Sequence, residues 1–144
     1  MTVASILRNK GAEVVSLSPR ATLAEAARLL VRHRIGAVLV REGEGEPDGI
    51  LSERDIVRVF AEQDGQAGAM TAAEAMTRVL YTVTPETPIE RALEMMTDRR
   101  VRHLPVLVDG RVLGIVSIGD LVKARIEAAV GEVAALRDYV TAAG

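Results

Sequence analysis

The chain has 144 residues, 49% of them hydrophobic, which is enough for one domain or for two small domains that pack together. Its formal charge of −2, with one Phe, two Tyr and no Trp, provides neither the basic surplus nor the stacking surfaces of a general nucleic-acid-binding protein. The absence of cysteine excludes a disulfide framework and thiolate chemistry, and the two histidines, His33 and His103, lack the spacing of metal ligands.

The first residues do not resemble a targeting signal. They include Arg8, Asn9 and Lys10 and lack the apolar core of a signal peptide. No run in the sequence approaches the ~20 apolar residues that a membrane span requires. We therefore expect a cytoplasmic protein whose partners include neither nucleic acid nor a membrane.

Hydrophobic periodicity and turn residues predict a regular succession of short elements in the first half of the chain. These are a helix over residues 2–10 with Thr2 as its cap, a strand at Val14 and Val15, a helix from Thr22 to about His33, a strand over residues 35–40, a strand that begins at residues 49–51, and a helix from Ser52 to about Glu62. A polar, glycine-rich link over residues 63–68 follows.

The second half predicts the same order again. Its elements are a short helical turn at residues 71–76, a strand at 80–83, a helix over 89–96, a strand over 101–108, a turn at Asp109-Gly110, a strand over 112–116, and a helix from Ser117. Asp-Gly between two apolar runs is typical of a β-hairpin. The predicted segments are a lead-in helix over 1–13, a first repeat over 14–62, a link with a short helix over 63–78, a second repeat over 79–127 and a helical extension over 128–144.

The repeat is clearest in one short stretch. Gly-Ile-Leu-Ser-Glu-Arg-Asp at residues 49–55 returns as Gly-Ile-Val-Ser-Ile-Gly-Asp at residues 114–120. Pairing residues 49–57 with 114–122 gives five identities in nine pairs, whereas pairing 15–40 with 81–106 gives four in 26. The longer stretch mainly preserves apolar character, which core packing alone requires. The glycine, serine and aspartate of the turn therefore need another explanation.

The helix caps and the apolar faces predict registers that differ by one residue. Thr22 and Glu25 lie 65 positions before Thr87 and Glu90, whereas the apolar positions repeat after 66. We take the apolar faces as the guide, since a cap can move by one residue.

Two interpretations of the repeated turn remain open at this point. A serine followed three residues later by an acid is typical of a helix capping box, so Ser52 with Asp55 and Ser117 with Asp120 are explained by capping alone. The preceding glycine, the free amides of a helix start and a carboxylate also suit the phosphate and the ribose hydroxyls of a nucleotide.

The last helix is predicted to be long, from Ser117 to about Thr141. Two sets of small or apolar residues recur every seven positions and form the seam of a coiled coil: Val122, Ala129 and Leu136, and Ile126, Val133 and Val140. Either the helix lies back on its own domain or its seam contacts a second chain. Gly131 lowers its helical propensity by ~1 kcal/mol relative to alanine.

The tandem order, with each copy ending in Gly-hydrophobic-hydrophobic-Ser-x-x-Asp, resembles paired cystathionine β-synthase (CBS) domains over residues 14 to about 126. The resemblance implies an α+β fold of two β-α-β-β-α repeats with pseudo-twofold symmetry, here with a short N-terminal helix and a long C-terminal helix. It also implies two clefts that hold adenosine-containing ligands, with the motif aspartate on the ribose hydroxyls.

In that family each cleft is shared between the repeats, and the resemblance therefore assigns residues to both. Asp55 and Ser52 would be joined by Leu80, Tyr81, Arg102, His103 and Pro105. Asp120 and Ser117 would be joined by Val14, Val15, Gly36, Ala37 and Arg54. On this assignment the cleft at Asp55 is better suited to a phosphate, because it has Arg102 and His103 where the cleft at Asp120 has Gly36 and Ala37. Gly36 instead allows the backbone to approach a flat base, with Arg54 as a cation from the other side.

The resemblance implies a regulatory module of the stand-alone type found in bacteria, not an enzyme. No Gly-x-Ser-x-Gly elbow and no Walker-type lysine loop is present. We expect a homodimer that binds AMP, ADP, ATP or NAD and acts on a downstream protein as a sensor of energy or redox state. The alternatives are a structural or dimerisation module without a ligand and a protein that binds S-adenosylmethionine.

Overall fold

Each repeat forms its own sheet and hydrophobic core in the computed structural model, which describes residues 1–11, 14–78 and 81–143. This architecture confirms the predicted tandem α+β repeats with a long C-terminal helix. Leu80, one of the predicted site residues, lies outside the described residues.

Six α-helices and one 3₁₀ turn are present in the described part of the chain. The helices are α1 (Val3–Lys10), α2 (Leu23–His33), α3 (Glu53–Gln63), α4 (Ala72–Ala75), α5 (Ile89–Arg99) and α6 (Ile118–Ala143), with the 3₁₀ turn over Asp64–Ala69. The predicted cap of α1 is wrong, since the side chain of Thr2 makes no capping hydrogen bond. Its backbone instead pairs with Pro88 of the second repeat, in an antiparallel bridge.

The strands form two separate sheets. They are β1 (Ser16–Leu17), β2 (Ala37–Val40), β3 (Gly49–Ser52) and β4 (Thr77–Arg78) in one sheet, and β5 (His103–Val108) and β6 (Arg111–Ser117) in the other. β1 runs parallel to β2, and the other neighbours are antiparallel. The predicted hairpin at Asp109-Gly110 is confirmed, with φ of 51° and 78° at the two turn residues.

The register of 66 is confirmed by α2 and α5, which begin at Leu23 and Ile89. Thr22 forms the expected capping box with Glu25. The second copy has Pro88 at the cap position, and Thr87 instead accepts a hydrogen bond from the Thr84 amide at 3.0 Å. A proline residue cannot supply a side-chain cap, and so the apolar face is the better guide to register.

The short helix before each repeat packs against the other repeat. Val3 and Ile6 of α1 are buried in the core of the second repeat, and Ala72 and Ala75 of α4 are buried in the core of the first. The backbone of α1 is tied there, because the amide of Val3 donates to the carbonyl oxygen of Thr87 at 2.9 Å. The two repeats therefore exchange helices.

This exchange explains the repeated glycine. A methyl group on Gly49 would lie 2.5 Å from the Met76 sulfur and 2.8 Å from the Thr77 carbonyl oxygen. A methyl group on Gly114 would lie 3.0 Å from a terminal carbon of Leu7. Packing against the segment that follows α4 thus requires glycine at position 49, whereas at position 114 the tight contact is only with the flexible end of Leu7, and both contacts exist without any ligand.

Helix α6 leaves the domain part-way along its length. Leu121 and Ala124 are buried in the second core, but every residue described from Gly131 to Ala142 is exposed. The interpretation that this helix lies back on its own domain is therefore wrong for its C-terminal half. No helix among the described residues is both long enough and apolar enough to cross a membrane.

Candidate functional site

A cavity of about 390 Å³ opens beside Asp120, where α1 and the two repeats meet. Its volume lies within the range of small-molecule sites. The lining residues are Leu7, Lys10, Gly11, Val14, Val15, His33, Arg34, Ile35, Gly36, Ala37, His103, Gly114, Ile115, Ser117 and Asp120. Of the residues that the sequence assigned to the Asp120 cleft, the structure thus brings together all except Arg54, which is exposed and does not line the cavity.

Asp120 begins α6 as part of a capping box. The amide of Ser117 donates to Asp120 Oδ2 at 2.9 Å, and the amide of Asp120 donates to Ser117 Oγ at 3.1 Å. Lys10 Nζ also donates to Oδ2 at 2.8 Å and to the carbonyl oxygen of Ile115 at 2.9 Å. None of the described residues donates to Oδ1, which leaves this oxygen as an acceptor for a ligand.

The carboxyl group of Asp120 is held in its charged form. Burial raises its pKa, but the hydrogen bonds from Lys10 and Ser117 outweigh burial and place the pKa below the ordinary value. The group is therefore a carboxylate at neutral pH and accepts hydrogen bonds only.

The cationic side chains of Lys10 and Arg34 line the cavity together with two histidines. Asp120 is the one carboxylate among the described residues that line it. Arg34 ends α2 in the left-handed region, with φ of 55° and ψ of 46°. The sequence interpretation missed Lys10, His33 and Arg34 because nothing in local spacing indicates that α1 and the end of α2 meet at α6.

His103 lies between the two repeats. Burial and the Lys10 ammonium lower its pKa, against the opposing influence of Asp120 and Glu53. At neutral pH its imidazole is therefore mainly uncharged. A methyl group on Gly36 would lie 3.1 Å from Glu53 Oε1 and 3.4 Å from His103 Nε2, so that glycine keeps this wall of the cavity open.

The carboxylate of Asp55, in contrast to that of Asp120, is buried and accepts hydrogen bonds at both of its oxygens. Asp55 is 5% exposed, and Ser52 donates to its Oδ2 from the amide at 2.9 Å and from the hydroxyl at 3.0 Å. Arg58 and Thr77 donate to Oδ1 at 3.0 and 3.2 Å. Both carboxylate oxygens are thus engaged within the chain.

A second cavity, of about 60 Å³, lies near the remaining residues predicted for the Asp55 cleft. It is lined by Ile50, Thr77, Arg78, Tyr81, Val101, His103, Leu104 and Pro105. Ser52, Asp55 and Arg102 are not among its lining residues, and the guanidinium of Arg99 lies 4.8 Å from the centre of the Tyr81 ring. The roomier cavity is therefore at Asp120, whereas the sequence favoured the Asp55 side for a phosphate.

Comparison with known proteins identifies the same repeats. The family model described as "CBS domain" matches residues 3–62 and 72–127. A CBS-domain-containing protein from Agrobacterium tumefaciens, ATU1752, has a crystal structure that is similar with a TM-score of 0.83 and 39% sequence identity. The match covers 87% of this chain and 99% of that one.

Two further similar structures contain ligands. The CBS domain pair of protein MJ0100, in complex with 5′-methylthioadenosine and S-adenosyl-L-methionine, matches with a TM-score of 0.76 and 26% identity, covering 86% of this chain and 94% of that one. The CBS domain protein PAE2072 from Pyrobaculum aerophilum, in complex with AMP, matches with a TM-score of 0.71 and 29% identity, covering 83% of this chain and 89% of that one.

Proposed function

Because the chain belongs to the CBS domain family, as a tandem pair, we propose that it is a regulatory module that binds one adenine nucleotide in the cavity at Asp120. The observation that carries the proposal is Asp120 Oδ1, to which none of the described residues donates, in a cavity of about 390 Å³ that Lys10 and Arg34 also line. The role is regulatory and not catalytic, and the ligand is AMP, ADP, ATP or NAD.

The ribose belongs at Asp120. A carboxylate that accepts only is matched by a pair of sugar hydroxyls, each of which donates one hydrogen bond. Ser117 holds this carboxylate in place from the start of α6, and Gly36 leaves room for the flat base on the opposite wall. In this arrangement Ser117 and Asp120 cap α6 and also position the carboxylate for the ligand, so that capping and nucleotide binding do not exclude each other.

The phosphate end belongs at Lys10 and Arg34. Lysine and arginine are the cationic residue types that bind phosphate, and both residues lie on the cavity wall. S-adenosylmethionine carries a sulfonium and an ammonium group, which these cations repel. The AMP complex of PAE2072 and the S-adenosylmethionine complex of MJ0100 support recognition of an adenosine group in general. The cations Lys10 and Arg34 favour a ligand that carries phosphate over S-adenosylmethionine.

A binding experiment on the full chain tests the proposal. We expect AMP, ADP, ATP or NAD, at about 100 times the dissociation constant, to stabilise the fold by ~2.7 kcal/mol in thermal melting, with one ligand per chain in calorimetry. S-adenosylmethionine and 5′-methylthioadenosine complete the panel. If none of the panel shifts the transition, the protein is a structural module and the proposal fails.

Two matched variants locate the site. Asp120→Asn keeps the size of the side chain but replaces one acceptor by a donor, and we expect it to weaken nucleotide binding at least about tenfold. Asp55→Asn is the control, since it lies in the equivalent capping box but has no free oxygen. It should lower stability and leave affinity unchanged. The reverse pattern would move the site to Asp55.

The sensor role requires a second conformation. A ligand shifts an equilibrium only by its differential affinity for two states. The cavity joins α1 to both repeats, so we expect bound nucleotide to slow hydrogen exchange in α1 and at the start of α6 together. Protection confined to the contact residues would indicate binding without a transmitted change.

A further inference from the structure

Helix α6 continues well beyond the part of the chain that the family accounts for. The CBS match ends at residue 127, whereas α6 runs to Ala143. At 1.5 Å per residue this extension is about 24 Å long. A helix that contacts nothing is marginal in water, because its stability normally comes from packing of an apolar face. The extension therefore needs a partner.

The exposed face of the extension has the pattern of a coiled coil. Val133, Leu136 and Val140 are exposed by 51%, 65% and 63%, and their spacing continues the seam that begins at Val122 and Ile126. These residues alternate at intervals of three and four, which places them on one side of the helix. The stripe is fully formed in the monomer and is not covered by any described part of the chain.

The residues of the seam indicate which partner fits. One core position of the heptad is β-branched throughout, with Ile126, Val133 and Val140, and the other carries Leu136. Among parallel coiled coils, this combination favours two strands. Val122 and Ala129 complete the second position. A second copy of the same helix supplies an identical stripe in the same register.

The flanking charges favour the parallel orientation. With Val133 at position a of the heptad, Glu132 lies at position g and Arg137 lies five residues later at position e. In a parallel pair, such positions face each other across the interface, so Glu132 of one chain meets Arg137 of the other twice by symmetry. In an antiparallel pair, position g faces position g and position e faces position e, so Glu132 and Arg137 no longer attract each other across the interface. We propose that residues 122–143 of two chains form a parallel, in-register coiled coil.

The oligomeric state of the full chain tests this proposal. We expect a dimer mass by sedimentation equilibrium and a monomer for Leu136→Glu. Leu136 is exposed in the single chain, so this variant leaves the fold intact. Ala135→Glu, on the outer face of the same turn, is the matched control and should remain a dimer. A monomeric parent chain, or a Leu136→Glu variant that stays dimeric, would overturn the proposal.

Single cysteines report the orientation, because the chain has no native cysteine. Val122→Cys and Val140→Cys lie at opposite ends of the seam and at its two different core positions, which face each other in an antiparallel pair. In a parallel pair, each variant alone forms a disulfide-linked dimer on mild oxidation. Cross-linking only when the two variants are mixed would show an antiparallel pair and contradict the proposal.

The charge pair gives an independent check of register. Glu132→Arg places like charges opposite Arg137 and should weaken the dimer, and adding Arg137→Glu to the same chain should restore it. Failure of the double variant to recover would show that these two residues do not meet across the interface. We expect none of these changes to alter nucleotide binding to the full chain, since residues 122–140 do not line the cavity.

Discussion

Arg34 and Arg100 occupy equivalent, conformationally costly positions. Each ends its helix with φ of 55°, in the left-handed region where a residue with a Cβ atom costs about 1 kcal/mol more than glycine. Arg34 lines the cavity at Asp120, whereas Arg100 lines neither cavity. Only the arginine at position 34 is therefore placed to contact a ligand in the proposed site.

Substitution of both residues by glycine separates strain from binding. Relief of backbone strain and the greater entropy of the unfolded chain nearly cancel, so Arg34→Gly and Arg100→Gly should each change the unfolding free energy by less than about 1 kcal/mol. Only Arg34→Gly should weaken ATP binding, by about tenfold in calorimetry, with adenosine binding unaltered. Equal losses for ATP and adenosine would argue against a phosphate at Arg34.

His103 gives the protein a defined dependence on pH. Its pKa is lowered in the folded state by burial and by Lys10, so the unfolded chain takes up a proton more readily. The contribution to stability is fully present above the ordinary pKa of histidine, about 6.5, and is lost as the pH falls through the lower folded value. Asp120 affects stability at more acidic pH. Because its pKa is lowered in the folded state, its contribution to the free energy of unfolding is lost as the pH falls below about 4.

Urea unfolding between pH 7.5 and 5 measures the histidine contribution. We expect the free energy of unfolding to fall over this range and the fall to be smaller in His103→Gln, which cannot be protonated. A saturating phosphate ligand beside His103 favours its protonated form and should also reduce the slope. An unchanged slope in His103→Gln would assign the pH dependence to another group.

The exchanged elements predict unequal costs at the two equivalent glycines. A Cβ atom on Gly49 meets backbone of Thr77 as well as Met76, whereas on Gly114 it meets only the end of the Leu7 side chain, which can rotate. Gly49→Ala should therefore destabilise by roughly 1–3 kcal/mol, as overpacking does, and Gly114→Ala by less. Chemical denaturation of the two variants checks this order, and equal values would contradict it.

Local patterns predict the elements well and their long-range contacts poorly. The register of 66, the Asp109-Gly110 hairpin and the length of α6 follow from apolar spacing and turn residues. The different hydrogen bonding of Asp55 and Asp120 does not follow from such local patterns. Arg58 lies one turn from Asp55, but Thr77 reaches it from the link, and Lys10 reaches Asp120 across 110 residues. Such contacts depend on how the segments cross, which no periodicity in the sequence records.

At the scale of the whole molecule, the proposed ligand site depends on three separate parts of the chain. The cavity is built by α1, by the end of α2 with β2, and by β6 with the start of α6. The first of these is anchored in the second core through Val3 and Ile6. A nucleotide bound in this cavity would be held by both repeats at once, which is the arrangement a module needs if occupancy is to alter its overall stability.

The exchange of α1 and α4 has a consequence for how this chain comes apart. A cut in the link after Gln63 would release an N-terminal fragment without α4 and a C-terminal fragment without α1, so each would lack a helix that fills its core. We therefore expect neither fragment to fold by itself and native structure to return only when the two associate. The repeated sequence thus encodes a single cooperative unit whose halves complement each other, rather than two modules joined end to end.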